Sequence, residues 1–189
     1  MSAAKKIRMT PAQTRSITIG TDLKPVSHTW QKARPWYMSD ADGSNLAKDN
    51  ALSMEDIFKG KTVAVFGVPA PFTGTCSNEH YPPYKASAED FLAQGVDELI
   101  CYAVADPYSH YNWGKDLKND FDKITFLADV DCEWAKEFEL SRDFSGCSLG
   151  HRSARFSMLV KDGIVKSFNL VEVANKDAEV LLADVKANK

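Results

Sequence analysis

The chain has 189 residues, of which 44% are hydrophobic and 26% charged, and this is the composition of one ordinary globular domain. Its formal net charge of -3 argues against nucleic acid as a partner, because phosphate binding usually requires a basic excess. No run of residues approaches the roughly 18 consecutive apolar residues of a membrane span, so we expect no membrane association.

The start of the chain is basic and contains no acid before Asp22. It lacks the apolar core of a secretory signal, which favours a solvated basic tail on a cytoplasmic protein. An acid-poor start that contains serine and threonine is also typical of an organelle transit peptide, so an organellar location stays open. The basic residues in this segment are Lys5, Lys6, Arg8 and Arg15.

The four cysteines of the chain contain no CxxC pair. Neither a zinc ribbon nor a thioredoxin-type dithiol is therefore predicted. Without a secretory signal, the expected environment is a reducing compartment in which the thiols are free. The cysteines are Cys76, Cys101, Cys132 and Cys147.

Apolar runs of strand length alternate with capped or amphipathic segments of helix length. In chain order we predict a helix over 53–58, a strand over 61–68, a helix over 76–93, a strand over 96–104, a helix over 108–117, a strand over 123–127 and helices over 131–138 and 177–186. Ser53 and Asp131 are the candidate helix caps, and Pro82 and Pro83 should bend the helix that contains them. The rest of residues 1–60 is expected to be irregular.

Asp162-Gly163 lies between two strand-like runs, 155–160 and 164–168, and an Asp-Gly pair in that position is a strong hairpin signal. The alternation of strands and helices, followed by a hairpin, predicts an α/β fold with three layers. We expect parallel strands with an antiparallel edge, in a single domain that spans residues 1–189.

Cys76 is placed where a predicted buried strand has ended and a predicted helix begins. Open α/β sheets place their sites at the carboxyl ends of strands, and a first helical turn favours thiolate over thiol. An ordinary thiol needs about 3.4 kcal/mol of differential stabilisation to be mostly ionised at neutral pH, whereas a helix end supplies about 2 kcal/mol at best. A nearby cation is therefore expected, and Arg152 and Arg155, close to the start of the hairpin, are the candidates.

The loop before Cys76 carries Thr73 between prolines and the helix. Pro69 and Pro71 stiffen this loop, since proline fixes φ, and they shield the site from water. The Thr73 hydroxyl and the backbone N–H groups that follow it are suited to bind an oxygen close to the sulfur. In the alternative interpretation, Cys76 is an inert buried thiol and Thr73 is a helix cap.

Pro69, Thr73 and Cys76 fit the pattern P-x-x-x-T-x-x-C, which is the signature of the peroxiredoxins, and the string as far as His80 resembles their atypical type-II subfamily. Further matching segments are 95–101, 106–108, 113–115, 152–158 and 162–163. Several separated motifs in the right order make the resemblance specific. An N-terminal extension of about residues 1–25 matches poorly.

The resemblance implies a thioredoxin-like α/β/α fold with a mixed central sheet. It also implies reduction of hydrogen peroxide and alkyl hydroperoxides without a cofactor or a metal. By matching position, Cys76 is the peroxidatic cysteine, which becomes a sulfenic acid. Thr73 would hydrogen-bond the peroxide, Arg155 would orient the thiolate and the peroxide, and Pro69 would shield the sulfur. His80 matches the family's active-site histidine, either as a general base or as a positioning group.

Arg152 belongs to a matching segment and is a further candidate for active-site support. The chain also departs from the family pattern. Gly74 stands where the family commonly has proline, and Pro71 stands where a small residue is usual. We expect these departures to change the stiffness of the loop and not its chemistry.

Cys101 follows Cys76 by twenty-five residues, which is the spacing of the resolving cysteine in plant-like type-II enzymes and implies an intramolecular disulfide. In the alternative, Cys101 only packs in its apolar strand, and glutathione or glutaredoxin reduces Cys76 directly. Thioredoxin is the other candidate reductant. Cys132 and Cys147 match no functional position. The family also implies a homodimer, with its interface near the active-site loops and the 108–113 region.

Other functions stay open at this point. One is a thiol–disulfide oxidoreductase on the same fold, against which the missing CxxC counts. Another is a peroxide-sensing relay in which Cys76 only passes oxidation to a partner. A metal site of Cys76 and His80 would lack a second ligand pair.

Overall fold

The structure is a computed structural model that describes residues 14–36 and 46–189. Its strands and helices are β1 Thr29–Lys32, α1 Leu46–Asn50, β2 Ala51–Ser53, α2 Met54–Phe58, β3 Thr62–Val68, α3 Tyr81–Ala93, β4 Glu98–Ala103, α4 Pro107–Asp116, β5 Thr125–Ala128, α5 Glu133–Glu137, β6 Ser141–Asp143, β7 His151–Ser153, β8 Phe156–Lys161, β9 Ile164–Leu170 and α6 Asp177–Ala187. A π-helical turn, Cys76–His80, runs directly into α3. Most of the predicted basic tail lies outside the described residues.

Seven strands form one mixed sheet in the order β2-β1-β5-β4-β3-β8-β9. The central strands β3, β4 and β5 are parallel, whereas β8 runs antiparallel to β3 and β1 runs antiparallel to β5. The mixed sheet confirms the expected fold class. Antiparallel strands lie on both sides of the parallel centre, although the strand order in the sequence predicts only one antiparallel edge.

The two faces of the sheet carry separate apolar cores, because side chains alternate along each strand. Val63 and Val65 of β3 belong to the core covered by α2 and α5, and Phe66 belongs to the core covered by α3, α4 and α6. Cys76 and Cys101 both belong to this second core. Helices on both faces of a sheet give the three layers that were predicted. Among the described residues, no helix is long and apolar enough to cross a membrane.

The N-terminal part of the chain is more ordered than predicted. β1 lies between β2 and β5, and upstream of it Ile17 and Leu23 are buried in the core. The expectation that residues 1–60 are irregular apart from one helix is therefore wrong for residues 29–32, 46–50 and 51–53. Only Trp30 of β1 is fully buried, beside polar neighbours, so no apolar run reveals this strand in the sequence.

Asp131 does not cap the helix predicted over 131–138. The N-cap residue is Cys132, whose side chain makes no capping hydrogen bond. The Asp129 carboxylate instead accepts hydrogen bonds from the backbone N–H groups of Glu133 and Ala135, both at 3.1 Å. Cys132 adopts a left-handed φ of 60°, and this turn delays the start of α5 to Glu133. Asp129 directly follows β5 and is buried, and its carboxylate faces the first turn of α5.

The hairpin predicted from Asp162-Gly163 is confirmed. It joins β8 to β9, and both turn residues have positive φ, 46° and 80°. This is the conformation that a two-residue hairpin of type I′ requires and that glycine adopts without strain. The hairpin fixes the register of β8 against β9, and the separate pairing of β8 with β3 brings Arg155 to the functional site.

Candidate active site

Cys76 stands in the first turn of the long helical segment that follows β3. The strand ends at Val68, helical backbone begins at Gly74, and the Ser77 N–H donates to the Thr73 carbonyl at 2.9 Å. The N–H groups of such a first turn have no partner within the helix, and the helix dipole favours negative charge there. The structure thus places Cys76 at a helix start, as expected, with its side chain only 1% exposed.

A π-helical turn begins at Cys76 and runs directly into α3. The Tyr81 N–H donates to the Cys76 carbonyl, a span of five residues where an α-helix has four. Pro82 and Pro83 follow at the start of α3, where the missing proline N–H is tolerated. The prolines were expected to bend this helix, and here they follow a widened turn. This turn buries both Cys76 and His80, and π-turns are frequent at functional sites.

Arg155 is the cation beside the sulfur. Its Nη2 lies 3.5 Å from Cys76 Sγ, and its Nη1 lies 2.9 Å from His80 Nδ1. The strand register explains this approach: Phe156 pairs with Gly67 at the carboxyl end of β3, and Arg155 directly precedes Phe156. A single planar guanidinium therefore contacts both side chains that the π-helical turn buries.

His80 is completely buried and contacts a second buried group. Its Nε2 lies 2.8 Å from Asp177 Oδ2, and Asp177 also accepts hydrogen bonds from the Tyr84 hydroxyl at 2.5 Å and the Ser157 hydroxyl at 2.7 Å. Burial lowers the pKa of His80, and the charge of Arg155 acts in the same direction, against the opposing effect of Asp177. The imidazole is therefore neutral at neutral pH.

The loop before Cys76 presents a hydroxyl with a fixed orientation. Thr73 Oγ1 donates its hydrogen to the Ala70 carbonyl at 2.9 Å, so its oxygen lone pairs remain to accept a hydrogen bond. Pro69 follows β3 directly and is half-buried. Phe72 has a φ of 59° and is 58% exposed, a strained conformation for a bulky residue and one that clusters at functional sites.

Arg152 does not lie beside Cys76. It pairs with Arg142 across the β6–β7 ladder, and its Nη1 donates to the His151 carbonyl at 2.9 Å. Its charge acts on the thiol of Cys132. Within residues 14–36 and 46–189, no contact joins Arg152 to Cys76. Of the two candidate cations, only Arg155 reaches the sulfur.

Cys101 lies on β4 opposite Phe66 of β3 and is completely buried. Burial, and after it the electrostatic interaction with Cys76, raises the pKa of the Cys101 thiol well above its usual value. All four cysteines are free thiols in the structure. Cys132 is also buried, whereas Cys147 is exposed.

Three residues around the site carry no recognisable signal in the sequence. Asp177, Tyr84 and Ser157 surround His80 from α6, α3 and β8, and their hydrogen bonds span distances in the chain that no local motif reveals. The Trp113 indole N–H also donates to Ser77 Oγ at 3.0 Å. Trp113 is fully buried, so its ring belongs to the core of this chain.

No group of three His, Cys, Asp or Glu side chains is arranged to hold a metal ion in the part of the chain that the structure describes. The site consists of a thiol, a guanidinium, an imidazole, a carboxylate and hydroxyl groups. These groups suit nucleophilic chemistry at sulfur.

Comparison with known proteins agrees with this chemistry. The Redoxin family model matches residues 37–183. The chain is 40% identical over 168 residues to the mitochondrial peroxiredoxin-2F of Arabidopsis thaliana, covering 88% of this chain and 80% of that one. It is 38% identical over 186 residues to the mitochondrial peroxiredoxin-2F of Oryza sativa subsp. japonica, covering 97% and 90%.

Among solved structures, the fold is similar to reduced Prx3 from Vibrio vulnificus in complex with H2O2. The TM-score is 0.75 at 29% sequence identity, and the match covers 91% of this chain and 98% of that one. Identity at this level over nearly the whole chain, together with the family match, shows common membership. The chain therefore belongs to the redoxin family as a type-II peroxiredoxin, and it is a thiol-dependent peroxidase.

Proposed function

We propose that Cys76 is the peroxidatic thiol and that it reduces hydrogen peroxide and alkyl hydroperoxides. The observation that carries this assignment is the 3.5 Å approach of Arg155 Nη2 to Cys76 Sγ in a first helical turn. The thiolate attacks one peroxide oxygen and the O–O bond breaks. The other oxygen takes up a proton and leaves as water or alcohol, and Cys76 becomes a sulfenic acid.

Three residues assist this step in the proposal. The Thr73 oxygen accepts a hydrogen bond from the O–H of the peroxide. The hydrogen bond that Thr73 donates to the Ala70 carbonyl supports this role, because it fixes the orientation of the hydroxyl. Arg155 neutralises the thiolate and donates to the oxygen that becomes negative. Pro69, half-buried beside the site, limits the access of water to the sulfur.

For recycling, we propose that Cys101 condenses with the sulfenic acid. An S–S bond forms, the S–O bond breaks and water leaves. Cys76 and Cys101 belong to one apolar core, which supports a reaction between them, but both thiols are buried. A disulfide requires Cα atoms within about 7 Å and a specific side-chain geometry, so the π-helical turn has to unwind first.

Thioredoxin would then reduce the disulfide. The raised pKa of the Cys101 thiol keeps it protonated until the site opens to water. If Cys101 does not react, glutathione or glutaredoxin attacks the oxidised Cys76 directly, and the cycle uses one cysteine. Thiol–disulfide exchange chemistry allows either reductant.

The organellar alternative for location gains support from the two plant relatives, which are mitochondrial by name. A basic start without acids before Asp22 fits it as well. A fluorescent fusion of the full chain, imaged with a mitochondrial dye, separates this location from the cytoplasmic one. Loss of co-localisation when the first twenty residues are removed would identify the targeting segment.

A homodimer with its interface at the active-site loops also remains a proposal. The exposed Phe72 in the loop before Cys76 supports it, because an interface at this loop would bury its apolar ring. The fully buried Trp113 does not contribute to that surface. Light scattering of the unmodified chain and of Phe72→Ser tests the interface.

Turnover of peroxide by Cys76→Ser tests the assignment of the thiol. Cys147→Ser is the matched control, because it removes an exposed thiol. We expect Cys76→Ser to lose peroxide consumption and the control to keep it. Sustained consumption over many equivalents by the unmodified chain also separates a peroxidase from a sensor that is oxidised once.

A further inference from the structure

Both ring nitrogens of His80 have fixed partners. Nδ1 lies 2.9 Å from Arg155 Nη1, and Nε2 lies 2.8 Å from Asp177 Oδ2. A guanidinium only donates hydrogen bonds and an ionised carboxylate only accepts them. Nδ1 must therefore be the acceptor and Nε2 must carry the hydrogen. Only one neutral tautomer of His80 satisfies both neighbours.

Three hydrogen-bond donors hold the Asp177 carboxylate in position. Its Oδ1 accepts from Ser157, and its Oδ2 accepts from Tyr84 and His80. Asp177 is only 3% exposed and is the first residue of α6, where the helix dipole favours negative charge. Three donors therefore converge on the two oxygens of Asp177, and these contacts fix the position of the oxygen that faces His80.

We propose that Asp177 is a positioning residue for peroxide reduction, because it holds His80 as the Nε2–H tautomer and leaves Nδ1 to accept from Arg155. The guanidinium is thereby oriented so that Nη2 faces Cys76. This inference rests on the proposed role of Arg155 at the sulfur. It also decides the role of His80: its one lone pair accepts from Arg155, so His80 positions the guanidinium and is not the base that removes a proton from Cys76.

Asp177→Asn is the decisive variant. Asparagine has one acceptor oxygen where Asp177 has two, and its amide can donate to Nε2. With the amide N–H facing Nε2, the hydrogen of His80 has to lie on Nδ1, where it faces the N–H of Arg155 and displaces the guanidinium. We expect the rate of the reaction between Cys76 and hydrogen peroxide to fall about tenfold to a hundredfold, as for the loss of a hydrogen bond to a charged group.

Two matched variants control for charge and packing. Glu179→Gln removes a negative charge from the same turn of α6, at an exposed residue that contacts Lys176, and we expect it to react at the unmodified rate. Tyr84→Phe removes one donor to Asp177 but keeps the carboxylate, and we expect a smaller loss than for Asp177→Asn. Equal losses in Tyr84→Phe and Asp177→Asn would indicate a packing role only and overturn the proposal.

The tautomer provides a readout that a structural role would not move. Long-range 1H–15N spectra of the unmodified, reduced chain should show His80 with Nε2 protonated and Nδ1 unprotonated, and Asp177→Asn should reverse this pattern. Nδ1 protonation in the unmodified chain would overturn the proposal, even if Asp177→Asn fails to fold.

His80→Gln completes the test. A glutamine side chain carries both an acceptor oxygen and a donor nitrogen, so it can satisfy Arg155 whatever stands at position 177. We expect Asp177→Asn to cost little further rate in the His80→Gln background, whereas an undiminished further loss would show that Asp177 does not act through His80. Retained peroxidase activity in Cys76→Ser would refute the proposed function instead, so the two failures are distinguishable.

Discussion

Arg155 Nη2 lies 3.5 Å from the Cys76 sulfur although 79 positions separate the two residues in the chain. The register of β8 against β3, in which Phe156 pairs with Gly67, produces this contact. A helix end alone supplies about 2 kcal/mol at best toward stabilising an anion. In the proposed mechanism the guanidinium supplies the remaining stabilisation of the thiolate, and His80 contacts it through Nδ1.

Replacing Arg155 by lysine should strongly reduce reactivity. Lysine keeps the charge but has a single ammonium, which cannot contact Cys76 and His80 together as the planar guanidinium does. We expect Arg155→Lys to lower the rate of peroxide reduction by about a hundredfold, as for the loss of one preorganised donor. Stopped-flow measurement of Trp fluorescence during oxidation gives the rate.

Arg152→Lys is the comparison for that prediction. Arg152 donates to the His151 carbonyl and lies near Cys132, so we expect its replacement to change the rate less than twofold. If the two lysine variants were equally slow, the structural distinction between these arginines would be wrong.

Thr73 should matter through its hydroxyl oxygen. Thr73→Val keeps the shape of the side chain but removes the acceptor that the Ala70 contact orients. We expect Thr73→Val to lower kcat/KM for hydrogen peroxide by about tenfold to a hundredfold, within the range for a lost hydrogen-bonding partner. Thr73→Ser should recover most of the activity, and full activity of Thr73→Val would contradict the role of the hydroxyl oxygen.

The second thiol is tested by mass after one equivalent of peroxide. In the unmodified chain we expect the loss of two hydrogen atoms, which reports a disulfide between Cys76 and Cys101. In Cys101→Ser this loss should disappear and a single added oxygen should take its place. Addition of one oxygen to the unmodified chain, without loss of hydrogen, would instead support the one-cysteine cycle with glutathione or glutaredoxin.

His110 should make the fold sensitive to acid. Its Nε2–H donates to the Cys101 carbonyl at 3.1 Å and its ring packs against Phe126. Its Nδ1 is buried and has no hydrogen-bond partner among the described residues. Burial lowers the pKa of His110 to about 4, against the opposing hydrogen bond to Cys101. The unfolded chain, with an ordinary histidine pKa of about 6.5, therefore binds a proton that the folded chain excludes between these two values.

Since the unfolded state binds more protons in this window, the free energy of unfolding falls as pH falls from about 6.5 toward 4, by up to about 1.4 kcal/mol per pH unit from this group. His110→Met removes the titrating ring. At pH 7 we expect the variant to be less stable by about 1 kcal/mol, because the hydrogen bond to Cys101 is lost. At pH 4.5 the difference should vanish or reverse in urea titrations, and a constant difference at both values would contradict the assignment.

The site residues that lie close together in the chain are predictable from the sequence, and those brought in from distant segments are not. Pro69, Thr73 and Cys76 stand close together in the chain, so spacing and strand–helix order relate them, and the family resemblance adds His80. Asp177 lies 97 positions from His80, at the start of a helix whose pattern indicates only packing. Its role depends on how α6 docks, which no local signal encodes.

The same reason separates Arg152 from Arg155. They are three positions apart in one basic segment, and the choice between them depends on strand register, which long-range pairing decides. The strands differ in the same way. Apolar runs or turn residues predict β3, β4 and the hairpin from the sequence. β1 depends on pairing with its neighbours and on the buried Trp30, so its sequence does not predict it.

The identity of the peroxide-attacking sulfur is the central claim, and trapping its sulfenic acid tests it most directly. Reduced Cys101→Ser is mixed with one equivalent of hydrogen peroxide in the presence of dimedone, digested, and mapped by mass spectrometry. We expect the dimedone adduct on Cys76 at close to one per chain and little on the exposed Cys147. An adduct mainly on Cys132 or Cys147, or none on Cys76 while peroxide is consumed, would contradict the account.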